Sequence, residues 1–199
     1  MSPFVQGLII GFSVAAPVGP IGLLCIRRSI ADGRLAGFVS GLGAATADAG
    51  YGLIAALGLT AASRLLLNYR IGLQLAGGVF MLYLGLTMLR SRTPAAAKPR
   101  NLGGLAGAYG STFLLTLANP LTILSFAGIL AGMGAATFNG APLVLGVFLG
   151  SAVWWLLLSA AAGWVGGRLQ QGARLRAVDL GAGLVIAGFG VWQLLQLGS

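Results

Sequence analysis

One acidic residue, Asp48, lies near the centre of a long apolar segment, where a carboxylate can bind a proton or a cation. Placing such a charge in a bilayer costs about 2.5 to 3.5 kcal/mol, so an intramembrane carboxylate marks a candidate functional site. No lysine or arginine falls inside a predicted membrane span to pair with it. We therefore expect Asp48 either to carry a proton or to face water and a cationic ligand, with Thr46 and Tyr51 beside it. The alternative is a structural role, in which a neutral acid is hydrogen-bonded to a neighbouring hydroxyl.

Two breaks containing proline interrupt other apolar segments: Pro17-Val18-Gly19-Pro20 and Asn119-Pro120. Proline removes a backbone donor and clashes with the preceding turn, and glycine permits backbone angles that other residues avoid, so each break should interrupt a helix. Half-helices that begin at Pro20 and Pro120 would point their positive dipole ends, about half a charge each, at the middle of the bundle. Such ends suit a carboxylate. The alternative is a pair of kinks whose backbone groups are satisfied by neighbouring helices.

Two adjacent tryptophans, Trp154 and Trp155, lie near the middle of another apolar segment rather than at a membrane interface. An interfacial aromatic belt does not explain tryptophan at that depth. We take Trp154 as the candidate for lining a cavity, and packing of both rings is an equal alternative.

The elements that must position these residues are membrane helices. Of the 199 residues, 57% are hydrophobic and 8% are charged, whereas soluble domains have about 25% charged residues. A bilayer is crossed by about 20 apolar residues. Six segments reach that length, at roughly residues 3–25, 35–59, 71–89, 104–131, 141–163 and 178–197. The sequence thus predicts an all-α integral membrane protein with six transmembrane helices.

The net charge of +9 reflects loop positions rather than a nucleic-acid surface. Ten of the twelve basic residues fall in the first, third and fifth loops and two in the second. Because short basic loops stay in the cytoplasm, those three loops should be cytoplasmic and both termini outside, in the periplasm. We expect the lipid bilayer, and no nucleic acid, as a partner.

The chain is predicted to be one transporter domain, residues 1–199, with two similar halves, residues 1–90 and 104–199, joined by a linker at 91–103. Gly78 and Gly85 recur as Gly183 and Gly190 at a constant offset of 105, and Pro20 lies opposite Pro120. Three spans in each half place the second half in the membrane the opposite way round. This predicts an inverted repeat of three plus three helices, with broken first and fourth helices. The alternative is chance recurrence of small residues in a glycine-rich chain.

The composition argues against enzymatic and metal chemistry. The chain has no histidine and one cysteine, Cys25, which excludes a CxxC pair and an intramolecular disulfide. One acid near the centre of a span, without histidine, makes a poor transition-metal site and leaves no nucleophile and base pair. We expect no enzyme activity, cofactor or bound metal.

Taken together, several motifs resemble the LysE/RhtB family of amino-acid exporters over essentially the whole chain. They are the early PVGP break followed by a basic loop, the glycine-rich second helix with a central aspartate, the Ala-Asn-Pro break, and the run of residues 150–155. The residues that match the family pattern are Pro17, Gly19, Pro20, Asp48, Asn119 and Pro120. One departure is Leu121, where some members have lysine, so the resemblance does not fix the substrate.

The resemblance implies a bacterial inner-membrane protein that exports amino acids or related compounds as a homodimer, driven by the proton gradient. The residues suggest a compatible mechanism, in which a zwitterion binds its carboxylate at the half-helix ends and its ammonium at Asp48. Protonation of Asp48 would then release the substrate, which gives proton antiport by alternating access. The other hypotheses are a cation or metal exporter of the wider superfamily and a membrane scaffold that transports nothing.

Overall fold

The computed structural model describes residues 1–56, 70–90, 103–133, 140–168 and 172–196, and these residues form helices without any strand. The helices are α1 (Pro3–Ala15), α2 (Pro20–Ala31), α3 (Arg34–Ala56), α4 (Arg70–Arg90), α5 (Gly104–Leu117), α6 (Pro120–Met133), α7 (Gly140–Arg168) and α8 (Gly172–Leu195). The predicted linker lies outside the described residues apart from Gly103, as do residues 57–59 of the predicted second span.

The first break separates α1 from α2, whose axes are bent by 82° relative to each other. Helix α1 ends when the Ala16 amide bonds the Phe12 carbonyl, and α2 begins at Pro20 with Gly19 in an extended conformation. Proline suits this first helical position because its missing amide hydrogen would have no partner there. Helix α2 continues to Ala31, beyond the predicted end of the span at residue 25, so Arg27 and Arg28 lie on a helix rather than in a loop.

The second break separates α5 from α6 and is stabilised by the side chain of Asn119. Its Oδ1 accepts a hydrogen bond from the Leu121 amide at 3.1 Å, and its Nδ2 donates to Thr122 Oγ1 at 3.1 Å. Asparagine is a favoured residue before a helix because its oxygen satisfies an amide that the helix leaves unpaired. Each predicted half thus contains one interrupted helix.

Membrane-spanning length is reached by two helices of the described residues, at Gly140–Gly166 and Arg176–Leu195, and by a third if α1 and α2 together form one bent span. Shorter apolar helices, Gln74–Arg90 and Gly104–Leu117, lie in the predicted third and fourth spans. The described helices thus include several capable of crossing a bilayer. The number six stays a prediction.

Helices α3 and α7 lie against each other and carry the partners of the candidate site. Helix α1 packs against α7, α5 packs against α3, α4 pairs with α8, and α2 contacts α3, α7 and α8. Glycines permit these close approaches: a Cβ atom added at Gly11 would overlap the Val147 carbonyl, and one at Gly43 would overlap the Tyr109 carbonyl. Small residues at helix contacts are what membrane helices use to bring backbones together.

The α4 and α8 pair contains two contacts between glycines. A Cβ atom added at Gly190 would lie 2.8 Å from the Gly78 carbonyl oxygen, and one at Gly85 would lie 2.7 Å from the Gly183 carbonyl oxygen. Neither distance leaves room for a side chain, so the two helix backbones touch at both points.

Candidate functional site

The Asp48 side chain is 3% exposed and is directed from α3 toward α7. The Ser151 hydroxyl donates a hydrogen bond to Asp48 Oδ2 at 2.7 Å, and Trp155 Nε1 donates to Ser151 Oγ at 3.1 Å. The indole can only donate, so Ser151 accepts from Trp155 and its own proton is free for the carboxylate. Ionised Asp48 therefore accepts a hydrogen bond from Ser151 at Oδ2.

Small residues on α3 allow this approach to α7, since Ala44, Ala45 and Ala47 are almost completely buried. The salt bridges among the described residues join Arg27 to acids outside the site, and none involves Asp48. The hydroxyl of Ser151 thus provides the polar contact that a cation would otherwise supply. This contact fits the structural alternative for Asp48 as well as the functional one.

Tyr51, one turn after Asp48 on α3, connects the acid's helix to the second break. Its hydroxyl donates to the Leu117 carbonyl at 2.6 Å, and its ring stacks on Phe126 with centroids 5.5 Å apart. Leu117 ends α5 and Phe126 lies on α6, so Tyr51 contacts both helices that flank the break. Asp48, Tyr51 and the Asn119-Pro120 break therefore occupy one region of the molecule.

A second side chain, Gln193 of α8, forms a hydrogen bond with the backbone at the second break. It is 2% exposed, and its Nε2 donates to the Ala118 carbonyl at 3.3 Å and to the Gln74 carbonyl at 2.8 Å. Carbonyl groups freed at a helix break must be satisfied by protein or water inside a membrane. Sequence reasoning missed Gln193 because nothing near it in the chain indicates a partner 75 positions away.

The first break is more open than the second. Val18 is 54% exposed and Pro17 is exposed, whereas Pro20 is buried. A Cβ atom added at Gly19 would meet no atom within 4 Å. The end of α1 nevertheless reaches the neighbourhood of the acid, since Ala15 belongs to the same buried cluster as Ala45 and Trp155.

The remaining predicted residues face other helices. Thr46 accepts a hydrogen bond from the Tyr109 hydroxyl at 2.8 Å and so contacts α5. Trp154 meets Phe12 of α1 edge to face, with centroids 5.4 Å apart, and its buried Nε1 has no hydrogen-bond partner. Its neighbour Trp155, which was not selected as a site residue, is the one bonded to Ser151. The four-residue spacing of Ser151 and Trp155 was the available sign of that link, because such residues share a helix face.

A separate polar cluster surrounds Arg28, which is 7% exposed. Its Nη1 donates to Ser40 Oγ at 2.9 Å, to the Ala108 carbonyl at 3.0 Å and to Thr112 Oγ1 at 3.0 Å, and its Nη2 donates to Ser111 Oγ at 2.9 Å. These bonds fasten α2 to α3 and to α5 through neutral oxygens.

The adjacent Arg27 forms ion pairs instead. It contacts Asp179 of α8 at 2.8 Å and Asp32 at 3.7 Å. Both arginines count only as loop charges in the sequence, whereas in the structure they tie α2 to three other helices.

Known proteins are similar to this chain over most of its length. The model of the LysE type translocator family matches residues 12–197. A protein of Bacillus subtilis (strain 168) named "Putative amino acid efflux protein YcgF" is 30% identical over 212 residues, which cover 98% of this chain and 100% of that protein. No solved structure matches. The chain, a multi-pass membrane protein, belongs to the LysE type translocator family.

Proposed function

We propose that this translocator exports amino acids, or related small zwitterionic or amine metabolites, across the bacterial inner membrane in exchange for protons. The observation that carries the proposal is the buried Asp48, which has a hydroxyl donor in Ser151 and no cationic partner among the described residues. The family and the name of the Bacillus subtilis relative support the class of substrate.

Asp48 is the group for which proton and substrate compete. A substrate ammonium binds the ionised carboxylate, and protonation from the outside removes the negative charge and releases the substrate. Ser151 orients one carboxylate oxygen of the ionised acid through its hydrogen bond to Oδ2. The second oxygen is then the one available to the ammonium.

The substrate carboxylate binds at the amino-terminal end of α2. That end has no acidic residue in its first turn and no side-chain cap at Gly19, so its positive dipole is uncompensated. The corresponding end of α6 is already capped by Asn119. The two breaks therefore differ in role: the first is open to an anion, and the second is held closed by Tyr51, Gln193 and Asn119.

An inverted repeat is supported by which helices touch. Exchange of the two halves turns the packing of α1 on α7 into the packing of α5 on α3, and both pairs are in contact. The repeat equates Gly78 with Gly183 and Gly85 with Gly190. The same exchange therefore turns the Gly78–Gly190 contact into the Gly85–Gly183 contact, and both occur. Such a repeat supplies the two related states that alternating access needs.

The remaining parts of the proposal concern the surroundings of the chain. The basic ends of the helices face the cytoplasm and both termini face the periplasm, following the distribution of arginine and lysine. The protein forms a homodimer, as the family resemblance implies.

The test is export from cells that lack their own exporters, loaded with single amino acids and compared across three forms of the protein. Wild type should lower the intracellular level of at least one amino acid. Asp48→Asn should be inserted in the membrane but should not lower the level of any amino acid. Asp32→Asn, which changes an acid outside the spans, should export normally. Normal export by Asp48→Asn would refute the assigned role. Absence of amino-acid export in wild type would favour a cation exporter or a scaffold.

A further inference from the structure

Two polar regions are separated along α3. One consists of Asp48 with Ser151, and the other of Ser40 with Arg28. Eight residues of helix between Ser40 and Asp48 correspond to about 12 Å at 1.5 Å per residue. A substrate that passes between the basic ends of the helices and Asp48 must cross this interval.

The interval is filled by buried apolar side chains. We use the name apolar layer for Ala15, Ile21, Leu24, Cys25, Ala44, Ala45, Leu115, Ala152 and Trp155, which form part of one contiguous cluster. Cys25 is 0% exposed and Leu24 is 1% exposed, so the layer is dry. Its members come from α1, α2, α3, α5 and α7, which means that both predicted halves contribute.

Trp155 has the largest side chain in the apolar layer, and it lies within the interval. Its Cβ lies against Gly41, where an added Cβ atom would overlap it, and Gly41 is next to Ser40. Its Nε1 reaches Ser151, which bonds Asp48. The indole thus packs on α3 between Ser40 and Asp48 and bonds Ser151, the residue that donates to the acid.

A buried hydroxyl lies on the other side of this ring. Ser159, one turn beyond Trp155 on α7, is 1% exposed, and its Oγ has no hydrogen-bond partner. An unpaired buried hydroxyl is costly, and it gains a partner when water enters. Polar groups are therefore present both above and below Trp155.

We propose that Trp155 is the gate residue that seals the Asp48 site from the basic end of the protein. Movement of the indole away from Gly41 joins the two polar regions and opens a path for substrate. The nature of the substrate rests on the proposed function, whereas the seal itself does not. The bond from Trp155 to Ser151 also links the gate to the group that orients Asp48.

The native Cys25 reports on the seal, because it is the only cysteine of the chain and lies in the apolar layer. Purified protein in detergent micelles is treated with a cationic methanethiosulfonate, and the single adduct is followed by intact mass. Wild-type Cys25 should react slowly. Trp155→Ala should raise the rate about tenfold or more, which corresponds to about 1.4 kcal/mol in the opening equilibrium.

Two variants control the experiment. Trp155→Phe keeps the bulk of the ring and should protect Cys25 nearly as well as wild type. Trp192→Ala removes a tryptophan that is 52% exposed on α8, and it should leave the rate unchanged. Folding is checked by size-exclusion chromatography, and Trp155→Leu replaces the alanine variant if that variant aggregates.

The proposal is overturned if the folded alanine or leucine variant reacts at the wild-type rate, or if wild-type Cys25 reacts as fast as a denatured control. The measurement involves no transport. Loss of amino-acid export would therefore bear on the proposed function alone, and unchanged thiol protection would bear on the gate alone.

Discussion

The two glycine contacts between α4 and α8 allow a quantitative test of the proposed repeat. A Cβ atom at Gly85 would lie 2.6 Å from the Ala187 amide nitrogen, whereas ordinary contacts begin at 3.4 Å. The obstructing atoms are backbone and the rigid Ala187 Cβ, so the helices must separate. Overpacking of this kind costs about 1 to 3 kcal/mol. Alanine also gains up to about 1 kcal/mol over glycine in a helix, so a control for this gain is needed.

Gly188 provides that control, because a Cβ atom there would meet nothing within 4 Å. Gly85→Ala should be less stable than Gly188→Ala by about 1 to 3 kcal/mol, since the helix-propensity gain cancels in the comparison. For a chain of this length, each kcal/mol shifts Tm by about 2 to 4 °C. The expected gap is therefore about 2 to 12 °C in a thermal unfolding experiment in detergent.

The equivalent residue Gly190 makes the test specific for the repeat. If Gly85 and Gly190 are related by symmetry, Gly85→Ala and Gly190→Ala should have the same cost within about 0.5 kcal/mol. Stability of Gly85→Ala equal to that of Gly188→Ala would refute the helix contact itself. Clearly unequal costs at Gly85 and Gly190 would refute the symmetric pairing.

Three further substitutions test the polar contacts. Arg28→Gln should cost at least about 1.5 to 3 kcal/mol of unfolding free energy, the value of one hydrogen bond to a charged group, as measured by thermal unfolding. A cost below about 0.5 kcal/mol, as at an ordinary surface position, would contradict the anchoring role of Arg28. Burial raises the pKa of Asp32 in spite of the nearby Arg27, so the folded state binds more protons than the unfolded chain. The stability of the protein should therefore fall as pH rises above about 4. Asp32→Asn should reduce this fall when Tm is measured against pH. Ser151→Ala removes a donor that favours the ionised form of Asp48, so the pH profile of export should move to higher pH. An unchanged pH profile would show that Ser151 does not act on the acid.

Local chemistry explains why both helix breaks were predictable. Proline at positions 20 and 120 prevents the preceding helix from continuing, whatever the rest of the chain does. Helix α2 begins at Pro20 and α6 begins at Pro120, as expected. The end of α2 was harder to place, because polar oxygens on α3 and α5 allow the helix to continue through Arg28.

The partners of the candidate residues depend on contacts across the fold, and this is where sequence reasoning ends. Composition and position were sufficient to single out Asp48, but its bond to Ser151 joins residues 103 positions apart. Trp154 and Trp155 face different neighbours because they are adjacent on a helix, and the four-residue spacing that links Trp155 to Ser151 gained meaning only with the bond from Ser151 to Asp48. Nothing in the sequence indicated that Gln193 bonds a distant backbone carbonyl, because a glutamine near the end of an apolar segment is typical of an interfacial residue.

The measurement that tests the central claim most directly is substrate-coupled proton movement in proteoliposomes that contain a pH-sensitive dye. With an exported amino acid present on one side, wild type should move protons in the opposite direction to the substrate, and Asp32→Asn should do the same. Asp48→Asn keeps the shape of the side chain and an acceptor for Ser151, yet it cannot exchange a proton. It should therefore show no substrate-dependent proton flux, and coupled flux equal to that of wild type would contradict the assignment of Asp48.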